Sequence, residues 1–231
     1  MAVCLPALLP FAWAAPAGGA PVLRVDGVPN TIAQRARACT QCHAVRDQQV
    51  ADQYFPRIAG KPAPYLQAQM QHFRDGRRHH PLMRHMLSNL SDAYLAELAA
   101  YFASQSPQYL SPDAPIAPEQ AKAGEQLALH GRDKLPACTA CHGVDLQGRP
   151  PAIPGLLGLP RAYLAAQLGA WKNGARKATA PDCMAQVAQQ LSDQDIGALT
   201  AWLATQNVAK PPKSAAAPAK LPLECGIQEV K

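Results

Sequence analysis

The chain has 231 residues, a formal charge of +6, 23 prolines and 7 cysteines, and only 6% of its residues are aromatic. This length suits two modest cores better than one small domain, and the basic excess is too small for a nucleic-acid binder, with no arginine-rich helix carrying interleaved aromatics. No alternating apolar run marks a strand of any length, and the prolines gather in loops and at both ends, which favours short helices over a large sheet.

In chain order, residues 1–20 (MAVCLPALLPFAWAAPAGGA) carry no charge and hold an apolar run broken by Pro6 and Pro10. The run is too short to span a bilayer. Ala12-Trp13-Ala14 resembles a secretory cleavage site, although no Lys or Arg stands near Met1, so the segment is expected to be a signal peptide that takes Cys4 with it and leaves a mature chain with no membrane span. A short opening helix is expected around residues 31–37, then the motif ACTQCHAV (38–45). A middle helix over about 65–74 is stopped by Gly76, and a basic, histidine-rich loop, RRHHPLMRH, follows. Ser91 opens a last helix whose apolar positions Leu95, Leu98 and Phe102 recur at helical spacing.

The proline-rich stretch 107–118 reads as a linker. Beyond it come an opening helix over 118–130, the motif ACTACHGV (137–144) and a middle helix over 163–172 stopped by Gly174. The last helix opens at Ser192 in an S-x-x-D capping pattern with Asp195 and carries Ile196, Leu199 and Leu203. Residues 207–231, including KPPKSAAAPAK, form a low-complexity tail.

The two halves are copies of one another. ACTQCHAV recurs as ACTACHGV, and FPRIAGKPAPYLQAQMQHFRDG (55–76) matches IPGLLGLPRAYLAAQLGAWKNG (153–174) without a gap, pairing Pro56 with Pro154, Gly60 with Gly158, Pro62 with Pro160 and Tyr65 with Tyr163. MRHMLSNLSDAYLAELAAYFASQ (83–105) pairs in turn with MAQVAQQLSDQDIGALTAWLATQ (184–206). The expected organisation is therefore two homologous domains, 31–106 and 119–206, with the linker 107–118 between them and the tail 207–231 behind.

Three chemistries compete for a C-x-x-C-H motif. Zinc needs four ligands, and neither half offers a second C-x-x-C or an H-x3-H at ordinary spacing. A thiol redox pair expects a neighbouring β-α-β pattern, which is absent. On a helical turn, thiols three residues apart share one face, so Cys39 with Cys42, and Cys138 with Cys141, suit thioether bonds to the two vinyl groups of a haem, with His43 or His142 beneath the iron. If the second axial ligand is a Met thioether, the iron is closed and suited to electron transfer. Met83 and Met184 stand at matching positions before the two LSD triplets, whereas Met70 and Met86 read as core gap-fillers. His79, His80 and His85 read as solvated loop residues.

With CTQCH and CTACH, the PYLQAQMQHFRDG and AYLAAQLGAWKNG helices, and the Met-x6-LSD segments ending in LAAYFASQ and LTAWLATQ, the chain resembles the dihaem cytochromes c of the cytochrome c4 family. The resemblance implies an all-α fold of two tandem cytochrome c-like helical domains, each wrapped around one covalently bound haem c, with the haems near the domain interface. It implies a non-enzymatic periplasmic carrier of single electrons between protein donors and acceptors, such as a membrane oxidase, a reductase or a periplasmic dehydrogenase. A dihaem peroxidase-type enzyme and the haem subunit of a dehydrogenase complex are the alternatives. One departure is that the first domain lacks the opening-helix glycine that the second has at Gly124, which puts tight helix packing there in doubt.

Two further groups stand out. Cys183 and Cys225 either pair, tying the tail to the segment that presents Met184, or remain two free thiols. Arg74, Arg77, Arg78 and Arg84 surround Met83 in sequence and form either a docking patch for an acidic redox partner or an ordinary solvated surface.

Overall fold

A computed structural model describes residues 29–43, 48–50, 53–208 and 220–226, with the backbone alone at 48–50 and 53. The expected signal peptide and most of KPPKSAAAPAK lie outside the described residues. The first half runs α1 (Ile32–Arg35), α2 (Arg37–Thr40), β1 (Gln48–Val50), β2 (Gln53–Phe55), α3 (Ala63–Arg74), α4 (Pro81–Leu87) and α5 (Asp92–Ala103). The second half repeats the order as α6 (Pro118–Leu129), α7 (Thr139–His142), β3 (Gly148–Arg149), β4 (Ile153–Pro154), α8 (Arg161–Lys172), α9 (Cys183–Gln189) and α10 (Asp193–Ala204).

Local sequence explains most boundaries. Pro62 and Pro160, with φ fixed near the helical value, stand immediately before α3 and α8. Gly76 and Gly174 follow those helices with φ +77° each, a left-handed conformation that stops both at the same point of the repeat. Ser91 Oγ accepts the Tyr94 N–H at 3.2 Å to start α5, and Ser192 with Asp195 forms a reciprocal capping box that starts α10. Arg132 grips the same Asp195 at 2.6 Å and, with the capping hydrogen bonds, holds its carboxyl down to about 2.

The short elements differ from expectation. Each half contains a small antiparallel hairpin, Gln48 opposite Phe55 in the first and Gly148 opposite Pro154 in the second. Strands of two or three residues are too brief to show an alternating pattern, so the sequence carries no signal for them. The methionine-bearing segments are helical rather than loops: α4 is capped by the His80 ring and α9 by the Asp182 carboxylate.

In the second half α6 crosses α10 closely enough that a Cβ on Gly124 would run into the Ala198 carbonyl and the Trp202 side chain. Leu127, Leu199 and Leu203 fill the core beside this crossing. In the first half the opening helix is broken at Ala36, and the fully buried Ala36 packs with Ala99, Leu98 and Phe102. Small residues at 36 and 99 supply the close packing for which no glycine was found. The 107–118 stretch has little regular structure yet is anchored: the Asp113 N–H donates to Ala204 O at 2.9 Å, and the Arg57 guanidinium lies 4.5 Å from the Tyr109 ring. The described residues from Thr31 onward form one unit.

Gly124→Ala should cost the second half about 1–3 kcal/mol by overpacking, read as a lower urea midpoint. Gly169→Ala and Gly197→Ala lie in helices with nothing within 4 Å of the new methyl group, and each should instead raise the midpoint through a helix-propensity gain of up to about 1 kcal/mol.

Candidate functional site

Both C-x-x-C-H motifs fold into the same turn. His43 N–H donates to Cys39 O at 2.8 Å and Cys42 N–H to the same oxygen at 3.2 Å; His142 and Cys141 make the same pair of bonds to Cys138 O at 2.8 and 3.2 Å. The two imidazoles are then pinned alike from a distance in sequence. His43 Nδ1–H donates to Pro56 O at 2.8 Å, and His142 Nδ1–H donates to Pro154 O, also at 2.8 Å. A carbonyl can only accept, so Nδ1 carries the proton and Nε2 keeps its lone pair. Burial pushes the pKa of both rings down, which favours the neutral form that can coordinate a metal. The small hairpins deliver these carbonyls: Pro154 lies in β4 and Pro56 directly after β2.

The four motif thiols form no disulfide. Burial raises the Cys39 and Cys141 thiols and pushes Cys138 up to about 11. This is opposite to the lowered thiol pKa of a redox-active or metal-gripping cysteine pair. Among the described residues no three His, Cys, Asp or Glu side chains gather as a metal ion would require. Neither alternative chemistry thus gains support from the arrangement.

In the second half Cys138, Cys141, His142 and Met184 line one cavity, closed by apolar side chains such as Leu164 and Leu199. Two thiols, an imidazole with a free Nε2 and a thioether in one apolar cavity are a donor set that fits a covalently held haem. In the first half Met83 is half-buried on α4, and its N–H donates to His80 Nδ1 at 3.4 Å. His80 is therefore a helix cap, while His79 and His85 are exposed. Met70 packs against the first core as expected, but Met86 does not: it is 46% exposed on α4.

The same second cavity reaches across to the first half through Tyr65 and Gln69 and includes Arg176. Here the repeats meet in a closed ring of side chains. Gln69 Oε1 accepts from Arg78 Nη1 at 2.9 Å and Arg176 Nη2 at 2.8 Å; Gln167 Oε1 accepts from Arg78 Nη2 at 2.7 Å and Arg176 Nη1 at 2.8 Å. Arg78 also donates to Tyr163 OH at 3.2 Å, and Arg176 hydrogen-bonds to Tyr65. Each guanidinium stacks on an aromatic of its own half, Arg78 4.5 Å from Phe73 and Arg176 3.6 Å from Trp171.

Two cations held together with neutral acceptors form a centre of unbalanced positive charge. Burial, then Arg78, brings Arg176 down to about 10. Burial acts to raise Tyr65, but Arg176 and Arg78 overcome it and bring the phenol to about 8. Backbone pairing of Arg78 with Arg176, and a bond from Lys177 N–H to Arg77 O at 2.7 Å, complete the junction.

This arrangement corrects the expected arginine patch. Arg78 is committed to the junction, and Arg74 is held by Asp92, Asp75 and the Leu90 carbonyl. Only Arg77 and Arg84 of the four remain exposed. Gln69, Gln167 and Arg176 carry no local sequence signal for this junction, although Gln69 with Gln167 and Arg78 with Arg176 are identical residues in the register already set by Tyr65 and Tyr163.

Gln167→Leu leaves both guanidiniums short of an acceptor and should cost about 2–3 kcal/mol by denaturant titration. Gln71→Leu loses an exposed bond to Asp92 and should stay within about 0.5 kcal/mol. His72 bridges the halves through Thr179 at 3.1 Å, and burial first, then Arg77 and Arg176 against an opposing Asp182, pushes it down to about 4. The unfolded ring titrates near 6.5, at about pH 6.5, so stability should be lost as pH falls from there toward 4. His72→Gln should flatten that part of the stability–pH curve.

The Cytochrome c family profile matches residues 31–106 and 121–207. The thiosulfate dehydrogenase electron acceptor of Thiomonas intermedia (strain K12) is 35% identical over 207 residues, covering 89% of this chain and 90% of the relative. Cytochrome c4 of Azotobacter vinelandii is 37% identical over 182 residues, covering 73% of this chain and 84% of the relative. The crystal structure of reduced recombinant cytochrome c4 from Pseudomonas stutzeri superposes with a TM-score of 0.64 at 32% identity, over 75% of this chain and 95% of that one. No helix among the described residues is long and apolar enough to cross a membrane. With the family profile matched twice, once over each C-x-x-C-H motif, the chain belongs to the cytochrome c family, as a dihaem electron-transfer protein of the cytochrome c4 type carrying two covalent haem c groups.

Proposed function

We propose that the protein is a periplasmic carrier of single electrons and not itself an enzyme, built from haem domains at 31–106 and 119–206 with a linker at 107–118. The observation that carries this reading is the pair of imidazoles fixed in one orientation by Pro56 and Pro154 carbonyls at equal 2.8 Å distances, each beside two thiols. Cys39 and Cys42 would tether one haem and Cys138 and Cys141 the other; His43 and His142 would each give a nitrogen ligand to an iron, and Met83 and Met184 a sulfur ligand. When bound, haem supplies a one-electron ferric–ferrous couple.

The protein's own residues hold that couple still. The Nδ1–H bonds keep each ring from turning away from the metal and raise its donor strength. The apolar side chains beside Met184 would keep water from the cavity, and a histidine and a methionine ligand to each iron would favour electron transfer over peroxide chemistry. Arg78 and Arg176 supply the positive charge suited to haem propionate carboxylates, with Tyr65 and Tyr163 beside them.

Residues 1–20 as an export signal and the Cys183–Cys225 disulfide both support a location outside the cytosol, where oxidising conditions preserve such a bond. The similarity to thiosulfate dehydrogenase electron acceptors favours a periplasmic dehydrogenase as the donor; a membrane oxidase or reductase would then take the electron onward.

Pyridine haemochrome assay of the purified protein should give two haems per chain. Met83→Leu and Met184→Leu should each remove about half of the red-edge Met-to-ferric-iron absorption, as one of two sites is lost. One haem per chain, unchanged absorption in both variants, or rapid peroxide turnover by the intact protein would contradict the reading.

A further inference from the structure

The two methionine helices differ at one position that the repeat makes easy to compare. Cys183 is the first residue of α9 and directly precedes Met184; in α4 the same position is Leu82, which is 49% exposed and directly precedes Met83. Cys183 is bonded to Cys225 across 42 residues of sequence. The bond brings the described end of the tail, residues 220–226, back onto the start of α9.

That return is fixed at several points. Leu221 is 8% exposed, and Leu223, Cys225 and Gly226 line the same cavity as Met184 and His142. Gly226 N–H donates to Pro181 O at 2.9 Å. The backbones approach so closely there that a Cβ on Gly226 would run into the Ala180 carbonyl. A covalent tie and a backbone hydrogen bond thus both act on the few residues that open α9, and Leu223 lines the cavity that Met184 also lines. Leu82 cannot form the corresponding tie in the first half.

We propose that residues 220–226 are a positioning strap: they close the Met184 side of the second cavity and, through Cys183–Cys225, hold the first turn of α9 so that outside ligands do not displace the Met184 sulfur. A methionine leaves iron more readily when the helix that carries it can open locally, and a cross-link beside that methionine restricts such opening. The first centre has no such tie, and Met83 yields first. The two haems, alike in motif, become unlike in ligand exchange. The inference rests on Met83 and Met184 being the axial sulfurs.

The test is a titration of the ferric dihaem protein with imidazole, followed by loss of the red-edge Met–iron absorption and assigned with Met83→Leu and Met184→Leu. In the intact protein the Met83 component should disappear first and the Met184 component resist. In Cys183→Ser/Cys225→Ser the Met184 component should titrate at imidazole concentrations about tenfold lower or more, a modest share of what closing a loop of this length contributes. Leu223→Ala, which keeps the disulfide, should move it in the same direction by less, and serves if the double variant does not fold. Equal titration of both components in the intact protein, or an unmoved Met184 component in either folded strap variant, would overturn the proposal. Full retention of the absorption in Met184→Leu would instead show that the axial assignment is wrong.

Discussion

A neutral imidazole is a useful iron ligand only if its lone pair stays aimed in one direction, and in each half a single backbone carbonyl fixes the histidine that we propose for that role. The Nδ1–H bonds to Pro56 and Pro154 fix both the tautomer and the ring plane. Much of each half can be understood as support for that bond. The C-x-x-C turn sets where the ring starts and a hairpin of two or three residue pairs carries the carbonyl to it, with α3 packed on α5 in the first half and α8 on α10 in the second. Proline suits the accepting position because it has no N–H to draw into a competing bond and its φ is already set.

The junction between the halves follows a different principle. A buried arginine such as Arg176 is ordinarily neutralised by a carboxylate, yet Arg176 and the half-buried Arg78 share only glutamine and tyrosine acceptors among the described residues. Such a centre costs stability unless an anion completes it, and the two groups that the family carries each bring carboxylates. In the proposed reading, the positive charge of the junction is the charge that would suit those carboxylates.

How much of this the sequence showed depended on the range over which each signal acts. The duplicated motif, the glycine stops at Gly76 and Gly174 and the capping serines Ser91 and Ser192 are local, and the structure has them where they were expected. The hairpins were missed because two or three residues hold no period. Arg78 was read as a surface charge because sequence neighbours suggested a basic cluster, whereas its partners Tyr163 and Gln167 lie in the other half. Cys183 with Cys225 was visible as a possibility, since those two cysteines stood outside both motifs, but the packing of Leu221 and Gly226 that gives the pair its setting was not.

The ring of Gln69, Arg78, Gln167 and Arg176 has the pattern of an isologous contact: residue i of one copy meets residue j of the other, and j meets i. Separate, identical subunits related by a twofold axis meet in this way. Within one chain the same geometry makes the protein, in effect, a homodimer whose partner is permanently supplied. The segment 107–118 replaces subunit concentration by covalent connection, and the halves are then free to diverge without losing their match. The Cys183–Cys225 disulfide on the second half is one such divergence, a difference that a true homodimer encoded by one sequence could not acquire on one side alone.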